Sequence, residues 1–272
     1  MNYSVCVCDL DGTLLNSQKR ISERDLSALH ALIESGVYVT IATGRSPLQI
    51  REYVAQIGVN APLICCNGGI VCAPNGGHVL DMSCIDPTRV TDIMGFCDAR
   101  GLDYLMYAPD FIYHCPHSVR IEGYRRYNAR CDSQFRVPIR STAEFSGDPI
   151  TKILVLGDEA CLSQISLLLS ADSSLEIVSS GLGLIDIMSH GVTKGRGLSV
   201  LADSLKIHRD GIVCFGDSPN DVSMFSCAGF PIAMANACDD ILARASFVTL
   251  DNDSGGVAHG IAHAFGIRDY SA

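Results

Sequence analysis

Four stretches of uninterrupted apolar residues mark the chain, and small or polar residues follow each of them. The stretches are SVCVCD, VYVTIAT, PLICCN and GIVCFGD. Because they do not alternate between apolar and polar positions, they predict strands that are covered on both faces, as in a parallel sheet. Between the first two, ISERDLSALHALIESG has helical spacing, with Ser22 as a candidate N-cap and Gly36 at the end. Strand, helix and strand in this order predict a right-handed βαβ unit.

The two ends of the chain share this alternation of strand and helix, whereas the middle does not. SPLQIREYVAQIG predicts a second helix before PLICCN, and a further helix is predicted from about Gly195 to Lys206, followed by strands and helices in turn. The middle predicts a hairpin, a helix, two antiparallel strands, a polar arginine-rich stretch and a second group of strands and a helix. We therefore predict an α/β protein with a doubly wound parallel sheet, formed by residues 1–83 and 188–272, and an inserted α+β domain of residues 84–187.

Composition limits the classes of protein and partner. The 272 residues are 47% hydrophobic and 18% charged, which indicates a globular chain with a substantial core. The formal net charge is −10 and the sequence contains no block of basic residues, so we expect neither nucleic acid nor a membrane as a partner. An anionic substrate would then need a local positive charge, most simply a metal ion. Nothing in the sequence indicates an oligomeric state.

The cysteines, 13 in number, lie in apolar runs, and the chain contains no C-x-x-C pair. Spacing therefore argues against a zinc site, and chain length argues against a disulfide scaffold. Reduced thiols that are buried as small hydrophobic side chains explain the pattern better. The examples are Cys6, Cys8, Cys65, Cys66, Cys72 and Cys214. Aspartates stand where a signal peptide needs its apolar centre, and no apolar run is long enough to span a membrane, so we expect a cytoplasmic protein.

The first apolar run ends in two aspartates, Asp9 and Asp11. Side chains at positions i and i+2 of a strand point to the same side, so the pair would place two negative charges together at the rim of a core. Such charges disfavour joint ionisation and raise one pKa, or they bind a cation. Alternatively, Asp11 and Gly12 form only the turn that follows the strand. These residues alone leave both interpretations open.

Polar residues follow the other predicted core strands as well, and ligands of parallel α/β sheets gather at the carboxyl ends of strands. Four acids, a hydroxyl, an amide, a lysine and several glycines share such positions: Asp9-Leu10-Asp11-Gly12-Thr13, Thr43-Gly44-Arg45, Asn67-Gly68-Gly69, Lys194-Gly195 and Asp217-Ser218-Pro219-Asn220-Asp221. Each also has a purely structural explanation, as a turn, a surface lysine or a helix cap. Those explanations would all have to hold independently on one edge of the sheet, so a shared site is the better interpretation.

Together these residues resemble the haloacid dehalogenase-like hydrolase superfamily, and most closely its Cof-type branch. The motifs are VCVCDLDGT, VTIAT followed by GR, NGG, the GVTKG that contains Lys194, and VCFGDSPND. The resemblance covers essentially the whole chain. It implies a Rossmann-like catalytic core in which the inserted α+β domain is a cap that selects substrates.

Position by position, the resemblance implies a Mg²⁺-dependent phosphatase that works through an aspartyl-phosphate intermediate. Asp9 is the implied nucleophile, and Asp11 is the implied acid and base for the leaving alcohol and the hydrolytic water. Mg²⁺ would bind the carboxylates of Asp9 and Asp217 and the carbonyl of Asp11, with Asp221 supporting the site. The groups implied to contact the phosphoryl oxygens are Thr43, Lys194, Asn220 and the N–H groups of Leu10 and Gly44.

Elementary electrostatics agrees with this assignment. Phosphoryl transfer is catalysed mainly by positioning and by stabilising charge on the equatorial oxygens. A carboxylate approaches an anionic phosphate only when cations such as Mg²⁺ and Lys194 cancel the repulsion, and oxygen ligands suit Mg²⁺. The expected substrate is a small phosphomonoester, either a sugar phosphate or a phosphorylated cofactor. The residues that could contact its leaving group are Arg45, Asn67, Tyr113, His114, His117, Arg120, Asp186 and His190.

Two other functions remain as alternatives. One is a phosphomutase that acts on hexose phosphates, and the other is a non-enzymatic phospho-acceptor signalling domain. Chain length, the inserted domain and the DxDGT motif disfavour the signalling domain. No G-x-G-x-x-G follows the first strand, which argues against a dinucleotide-dependent dehydrogenase. The stretch DIMSHGVTKG departs from the EI-x-P-x-GVxKG form expected in the branch, at Asp186 and His190 among other positions.

Overall fold

The structure is a computed structural model that describes residues 3–170, 173–181 and 183–267. Its strands are β1 (Val5–Cys8), β2 (Tyr38–Ile41), β3 (Leu63–Cys65), β4 (Ile70–Cys72), β5 (Val79–Met82), β6 (Asp103–Tyr107), β7 (Ile112–His114), β8 (Ile139–Ser141), β9 (Lys152–Leu156), β10 (Leu175–Gly181), β11 (Leu184–Ser189), β12 (Ile212–Gly216), β13 (Phe230–Ala233) and β14 (Phe247–Val248). Its α-helices are α1 (Glu23–Glu34), α2 (Pro47–Ile57), α3 (Pro87–Asp98), α4 (Ile121–Asn128), α5 (Glu159–Ser170), α6 (Lys194–Leu205), α7 (Val222–Cys227), α8 (Asp239–Leu242) and α9 (Gly256–Phe265).

The described residues form two compact units. The first contains the described residues of Met1–Gly44, Tyr53–Asp81 and Thr193–Ala272, and the second contains Arg45–Glu52 and Met82–Val192. Helix α2 therefore contributes its first residues to the second unit and its last residues to the first. Among the described residues, no helix is long and apolar enough to cross a membrane.

A parallel sheet forms the centre of the first unit, with the strand order β14-β13-β12-β1-β2. Every residue of β1 and β12 is buried, which explains why both segments are uninterrupted apolar runs. The predicted parallel core is confirmed. Chain order runs outward from β1 to β2 on one side and from β12 to β14 on the other, so it reverses between β1 and β12. Ligands of such sheets bind beside this switch point, at the carboxyl ends of the strands.

Helices cover both faces of this sheet. Val5 and Val7 of β1 pack in an apolar cluster with residues of α6, α7 and α8. On the opposite face, α9 approaches the sheet at Gly260, where a Cβ would lie 2.4 Å from the ring of Phe215. Because adjacent strand residues point to opposite faces, β1 contacts both helical layers and is held from both sides.

The third predicted core strand lies differently from the prediction. β3 meets β2 through one isolated parallel bridge, from Ala42 to Ile64, and then pairs antiparallel with β4 in the sheet β3-β4-β5. The chain turns back after β3 because Cys66, Asn67 and Gly68 all have positive φ angles. The predicted hairpin of β4 and β5 is confirmed.

Local signals in the sequence place several helix starts. Ser22 caps α1 as predicted, since its hydroxyl accepts the N–H of Asp25. The helix predicted from Gly195 begins one residue earlier, behind the N-cap Thr193. The helix predicted from Pro219 begins as a 3₁₀ turn, Pro219–Asp221, and continues as α7. The six cysteines predicted to be buried are buried.

The second unit contains a mixed sheet with the order β10-β11-β9-β6-β7-β8. β6 pairs antiparallel with β7, as predicted, and also with β9, so the unit is α+β. One face of this sheet packs with α3 and α5 around an apolar cluster that includes Tyr104, Met106, Ile153 and Val155. The polar arginine-rich stretch contains α4, and its arginines are exposed.

Candidate active site

The two aspartates after β1 lie in different environments. Asp9 is still part of the sheet, since its N–H donates to the carbonyl of Phe215, and it is 5% exposed. The chain then turns at Gly12, which has a φ of +90°. The side chain of Asp11 is 40% exposed, and its Oδ1 lies 2.8 Å from Nζ of Lys19. The turn and the acidic cluster therefore both exist, and separate cations compensate the two carboxylates.

Lys194 is the centre of the buried part of the site. Its Nζ lies 2.6 Å from Oδ1 of Asp9 and 2.7 Å from Oδ1 of Asp221, and its side chain is fully buried. Burial alone would lower the pKa of Lys194, but the two carboxylates outweigh this effect, so its pKa is raised and the ammonium stays charged. Gly195 next to it allows α6 to approach α7, because a Cβ there would lie 2.4 Å from the carbonyl oxygen of Ser223.

Asp221 has a structural and an electrostatic role at once. Its Oδ2 accepts the N–H groups of Asp217 and Ser218 at 3.0 and 3.1 Å, which caps the 3₁₀ turn before α7. Its Oδ1 contacts Lys194. Both oxygens are therefore engaged, which suits a residue that supports a metal site through its neighbours.

Asp217 follows β12 and is partly buried. Its Oδ1 accepts the hydroxyl of Thr13 at 2.7 Å, and its Oδ2 accepts the hydroxyl of Ser218 at 2.8 Å. Burial raises the pKa of Asp217, while these two hydrogen bonds act to lower it. The segment after β1 passes very close to this carboxylate, because a Cβ on Gly12 would lie 2.4 Å from its Oδ2.

The charge of this cluster fits a divalent cation. Ligand atoms of Asp9, Asp217 and Asp221 all lie within 4.8 Å of one another. Three carboxylates and one ammonium leave a net charge of −2 in a largely buried space. Burial raises the pKa of Asp9 well above its ordinary value; Lys194 opposes this rise, and the other two carboxylates add to it. An all-oxygen donor set of this kind suits Mg²⁺.

A second group of polar residues adjoins the cluster through Asn67. Its N–H donates to the carbonyl of Thr43 at 3.0 Å, and its Oδ1 accepts Nδ2 of Asn220 at 3.1 Å. A Cβ on Gly44 would lie 3.1 Å from the same Oδ1. Oδ1 of Asn220 is buried without a hydrogen-bond partner in the described part of the chain. Asn67 is buried and connects Thr43 with Asn220, two of the predicted phosphate-binding residues, and its predicted contact with substrate stays a prediction.

The remaining predicted substrate residues belong to the second unit. The side chain of Tyr113 lies in the apolar cluster, and its hydroxyl donates to Oδ2 of Asp148 at 2.6 Å. Asp186 is 1% exposed and lies 2.9 Å from Nζ of Lys152. Both side chains are thus occupied in the interior. Those that are at least partly exposed are Arg45, His114, His117, Arg120 and His190.

Several residues at the site were not predicted. Asn236 donates to the carbonyl of Gly12 and Asn252 donates to the carbonyl of Leu15, both at 2.8 Å. They follow β13 and β14, so the rule that polar residues collect after strand ends would have found them had it been applied to every strand. Lys19 has no such signal, because its position depends on how the segment after β1 folds back.

The chain is similar to known proteins over most of its length. A model of the haloacid dehalogenase-like hydrolase family matches residues 6–261. The chain is 30% identical over 277 residues to the 5-amino-6-(5-phospho-D-ribitylamino)uracil phosphatase YwtE of Bacillus subtilis, with 92% of this chain and 94% of the relative covered. It is 27% identical over 264 residues to the pyridoxal phosphate phosphatase YbhA of Escherichia coli, with 95% and 97% covered.

Solved structures show the same fold. A haloacid dehalogenase-like hydrolase from B. subtilis superposes with a TM-score of 0.84 at 27% sequence identity, and the match covers 96% of this chain and 99% of that one. The family model, the relatives and this neighbour each extend over both units. The chain therefore belongs to the haloacid dehalogenase-like hydrolase family.

Proposed function

We propose that this phosphatase hydrolyses small phosphomonoesters with the help of Mg²⁺, through an aspartyl-phosphate formed on Asp9. The observation that carries the proposal is the buried cluster in which Lys194 bridges Asp9 and Asp221 beside Asp217. An ordinary protein interior excludes surplus charge, so three carboxylates around one lysine need a functional reason.

The first step transfers the phosphoryl group to Asp9. The free oxygen of its carboxylate attacks phosphorus, a new O–P bond forms, and the bond to the ester oxygen breaks with its electron pair leaving on that oxygen. Lys194 holds Oδ1 of Asp9, which leaves Oδ2 to act as the nucleophile. The fixed ammonium also attracts the phosphoryl oxygens, so the charge of the transition state is stabilised without reorganisation.

Asp11 handles the proton in both steps. Its carboxyl group gives a proton to the departing ester oxygen, and the resulting carboxylate then takes a proton from the water that attacks the phosphorylated Asp9. The attack breaks the O–P bond and returns the electron pair to the Asp9 carboxylate, so both residues end as they began. Its greater exposure suits this role, since the proton has to exchange with solvent and substrate.

Mg²⁺ would be held by the carboxylates of Asp9 and Asp217 and by the carbonyl of Asp11, and it supplies charge neutralisation for the phosphoryl group. Asp221 supports this set through its hydrogen bonds to the N–H groups of Asp217 and Ser218. Thr13 and Ser218 fix the orientation of Asp217.

The phosphoryl oxygens are assigned to a second set of groups. They are the Thr43 hydroxyl, the N–H groups of Leu10 and Gly44, Lys194 and Asn220. Asn67 fixes this set, because it hydrogen bonds both to the loop after β2 and to the Asn220 amide. Selection of the leaving group is assigned to the second unit, as its cap function. The relatives named above act on a ribityl phosphate and on pyridoxal phosphate, so a sugar phosphate or a phosphorylated cofactor is the proposed substrate class.

The proposal is tested by release of inorganic phosphate from para-nitrophenyl phosphate, with and without Mg²⁺. We expect turnover to require the metal and to fall by at least about 10⁴-fold in Asp9→Asn, because the nucleophile is lost. Phosphate should also appear from a panel of sugar phosphates, pyridoxal phosphate and flavin mononucleotide. Metal-independent turnover, or an active Asp9→Asn variant with wild-type stability, contradicts the proposal.

A further inference from the structure

The segment that follows Asp11 folds back so that Lys19 returns to it. Nζ of Lys19 lies 2.8 Å from Oδ1 of Asp11, and the two side chains are 60% and 40% exposed. An exposed ion pair of this kind contributes little to stability. Stability alone therefore does not account for the way the chain holds this lysine in place.

The backbone of Lys19 is held in an unfavourable conformation. Its φ is +59°, in the left-handed region that side chains other than glycine rarely adopt. Asn16 shapes the turn, since its Oδ1 accepts the N–H groups of Gln18 and Arg20 and its carbonyl accepts that of Lys19. The hydroxyl of Tyr53 donates to the carbonyl of Lys19 at 3.1 Å. Conformations that the surroundings enforce in this way are concentrated at functional positions.

Two distant loops clamp the rest of the segment. Asp253 accepts both the N–H and the hydroxyl of Ser17, at 2.8 and 2.6 Å. Asn252 binds the carbonyl of Leu15, and Asn236 binds the carbonyl of Gly12. The two asparagines are themselves connected, because the N–H of Asn252 donates to Oδ1 of Asn236 at 3.1 Å. The loops after β13 and β14 therefore fix the segment from Gly12 to Ser17, and Lys19 follows this segment two residues later.

We propose that Lys19 is a positioning residue that orients the Asp11 carboxyl group for proton transfer to the leaving group. Lys19 holds Oδ1 of Asp11, and the proton that is transferred is assigned to Oδ2. That proton moves to the ester oxygen as the phosphorus–oxygen bond breaks. The inference rests on the proposed function of Asp11 and adds a residue to it. Asp253 acts one step further away, because it holds the turn that presents Lys19.

The test compares two substrates that differ in their need for a proton. Phenyl phosphate and para-nitrophenyl phosphate are similar in size, but para-nitrophenol is much the stronger acid and leaves readily without protonation. We expect Lys19→Met to lower kcat/KM for phenyl phosphate by about tenfold and for para-nitrophenyl phosphate by less than about twofold. Lys19→Arg should restore most of the loss, and Asp253→Ala should show the same bias with a smaller loss.

Two controls separate positioning from other effects. Lys206 also has a left-handed backbone, with a φ of +56°, but lies at the end of α6. Lys206→Met should therefore leave kcat/KM unchanged for both substrates. In an Asp11→Asn background, Lys19→Met should produce no further loss, because Lys19 acts through Asp11. Equal losses on both substrates, or losses that multiply with Asp11→Asn, overturn the inference. If the wild-type enzyme shows no Mg²⁺-dependent turnover of either substrate, the proposed function fails first and this inference fails with it.

Discussion

Each unit of this protein buries a lysine in an ion pair, and the two pairs differ in their charge balance. Lys194 in the first unit contacts Asp9 and Asp221, and Asp217 lies beside them. Lys152 in the second unit lies 2.9 Å from the carboxylate of Asp186. The first cluster therefore contains more carboxylates than cations, whereas the pair of Lys152 and Asp186 matches one charge with one.

Charge balance distinguishes the two clusters more clearly than burial does. The two lysine side chains are 0% and 5% exposed, so both charges are removed from water to a similar extent. A pair of one cation and one anion carries no surplus charge that would attract a metal ion. A surplus of carboxylates needs a further cation, which an interior does not supply by itself. The comparison leads to predictions in which the two lysines respond differently to the same change.

Removal of Lys194 should have the largest effect. Lys194→Met leaves three carboxylates facing one another and removes the positive charge that attracts phosphate, so we expect kcat to fall by about 10³-fold or more. The variant should also unfold at lower temperature, and Mg²⁺ should restore part of that loss because it replaces the missing charge. Steady-state kinetics and thermal unfolding with and without Mg²⁺ measure both effects. A variant that unfolds like the wild type in the absence of metal would contradict the electrostatic argument.

The matched change in the second unit should act on stability alone. Lys152→Met leaves the carboxylate of Asp186 buried without its cation, which costs about 3–5 kcal/mol in the free energy of unfolding. Mg²⁺ should not restore this loss, and kcat below the unfolding temperature should stay within a few fold of the wild type. The double variant Lys152→Met/Asp186→Leu should regain most of the stability. If Mg²⁺ stabilises the single variant more than it stabilises the wild type, the distinction between the two pairs is wrong.

Mg²⁺ should stabilise the folded protein only through the cluster of Asp9, Asp217, Asp221 and Lys194, which is called the surplus cluster below. At about 100 times its dissociation constant, Mg²⁺ should add about 2.7 kcal/mol to the free energy of unfolding. Asp217→Asn should abolish this increment, since it removes one ligand and one negative charge. Asp186→Asn serves as the control and should retain the full increment on a less stable protein. Calorimetric titration of Mg²⁺ gives the affinities, and equal increments in the two variants would place the metal elsewhere.

The gain in the free energy of unfolding that Mg²⁺ provides should also depend on pH. Burial raises the pKa of Asp217 above its ordinary value of 3.8 and raises that of Asp9 well above it. Protons therefore compete with Mg²⁺ at higher pH than they do at an exposed carboxylate, and the increment should shrink as the pH falls. Without metal the sign is opposite, because the folded state binds these protons more tightly than the unfolded chain. Between the ordinary and the raised pKa values, the contribution of these groups to metal-free stability should then rise as the pH falls. Unfolding curves across this range test both signs.

The sequence was sufficient to predict the first unit better than the second, for a physical reason. Strands that are buried on both faces have uninterrupted apolar sequences. The parallel topology then places the residues that follow these strands at one edge of the sheet. This logic located Asp9, Thr43 and Asp217. In the second unit the sequence FIYHC does not say which face of its strand is covered by helices. The structure turns Tyr113 into the apolar cluster with α3 and α5, which removes it from the predicted substrate contacts.

Contacts that depend on tertiary packing were beyond the sequence. Lys19 reaches Asp11 because Asn16 shapes the turn and the loops after β13 and β14 hold the intervening segment, and nothing local in SQKR indicates this. Asn67 follows a strand end as predicted, and its contact with substrate stays a prediction, but its contacts within the protein were not predicted. Its backbone N–H donates to the carbonyl of Thr43 and its side-chain Oδ1 accepts Nδ2 of Asn220, where the positive φ angles at Cys66 and Asn67 turn the chain.

The smallest effect should come from a glycine pair that separates backbone strain from disturbance of the site. Gly12 and Gly36 have φ angles of +90° and +87°, but only at Gly12 would a Cβ meet the carboxylate of Asp217, at 2.4 Å; at Gly36 nothing lies within 4 Å. Gly36→Ala should therefore cost only the strain of a left-handed residue, about 1–2 kcal/mol, and keep full activity and the full Mg²⁺ increment. Gly12→Ala should add to the same strain a displaced Asp217, so it should lose most of the increment and at least about tenfold in kcat. Unfolding and kinetics of the two variants side by side measure the difference, and identical behaviour would mean that the segment after β1 can move without disturbing the surplus cluster.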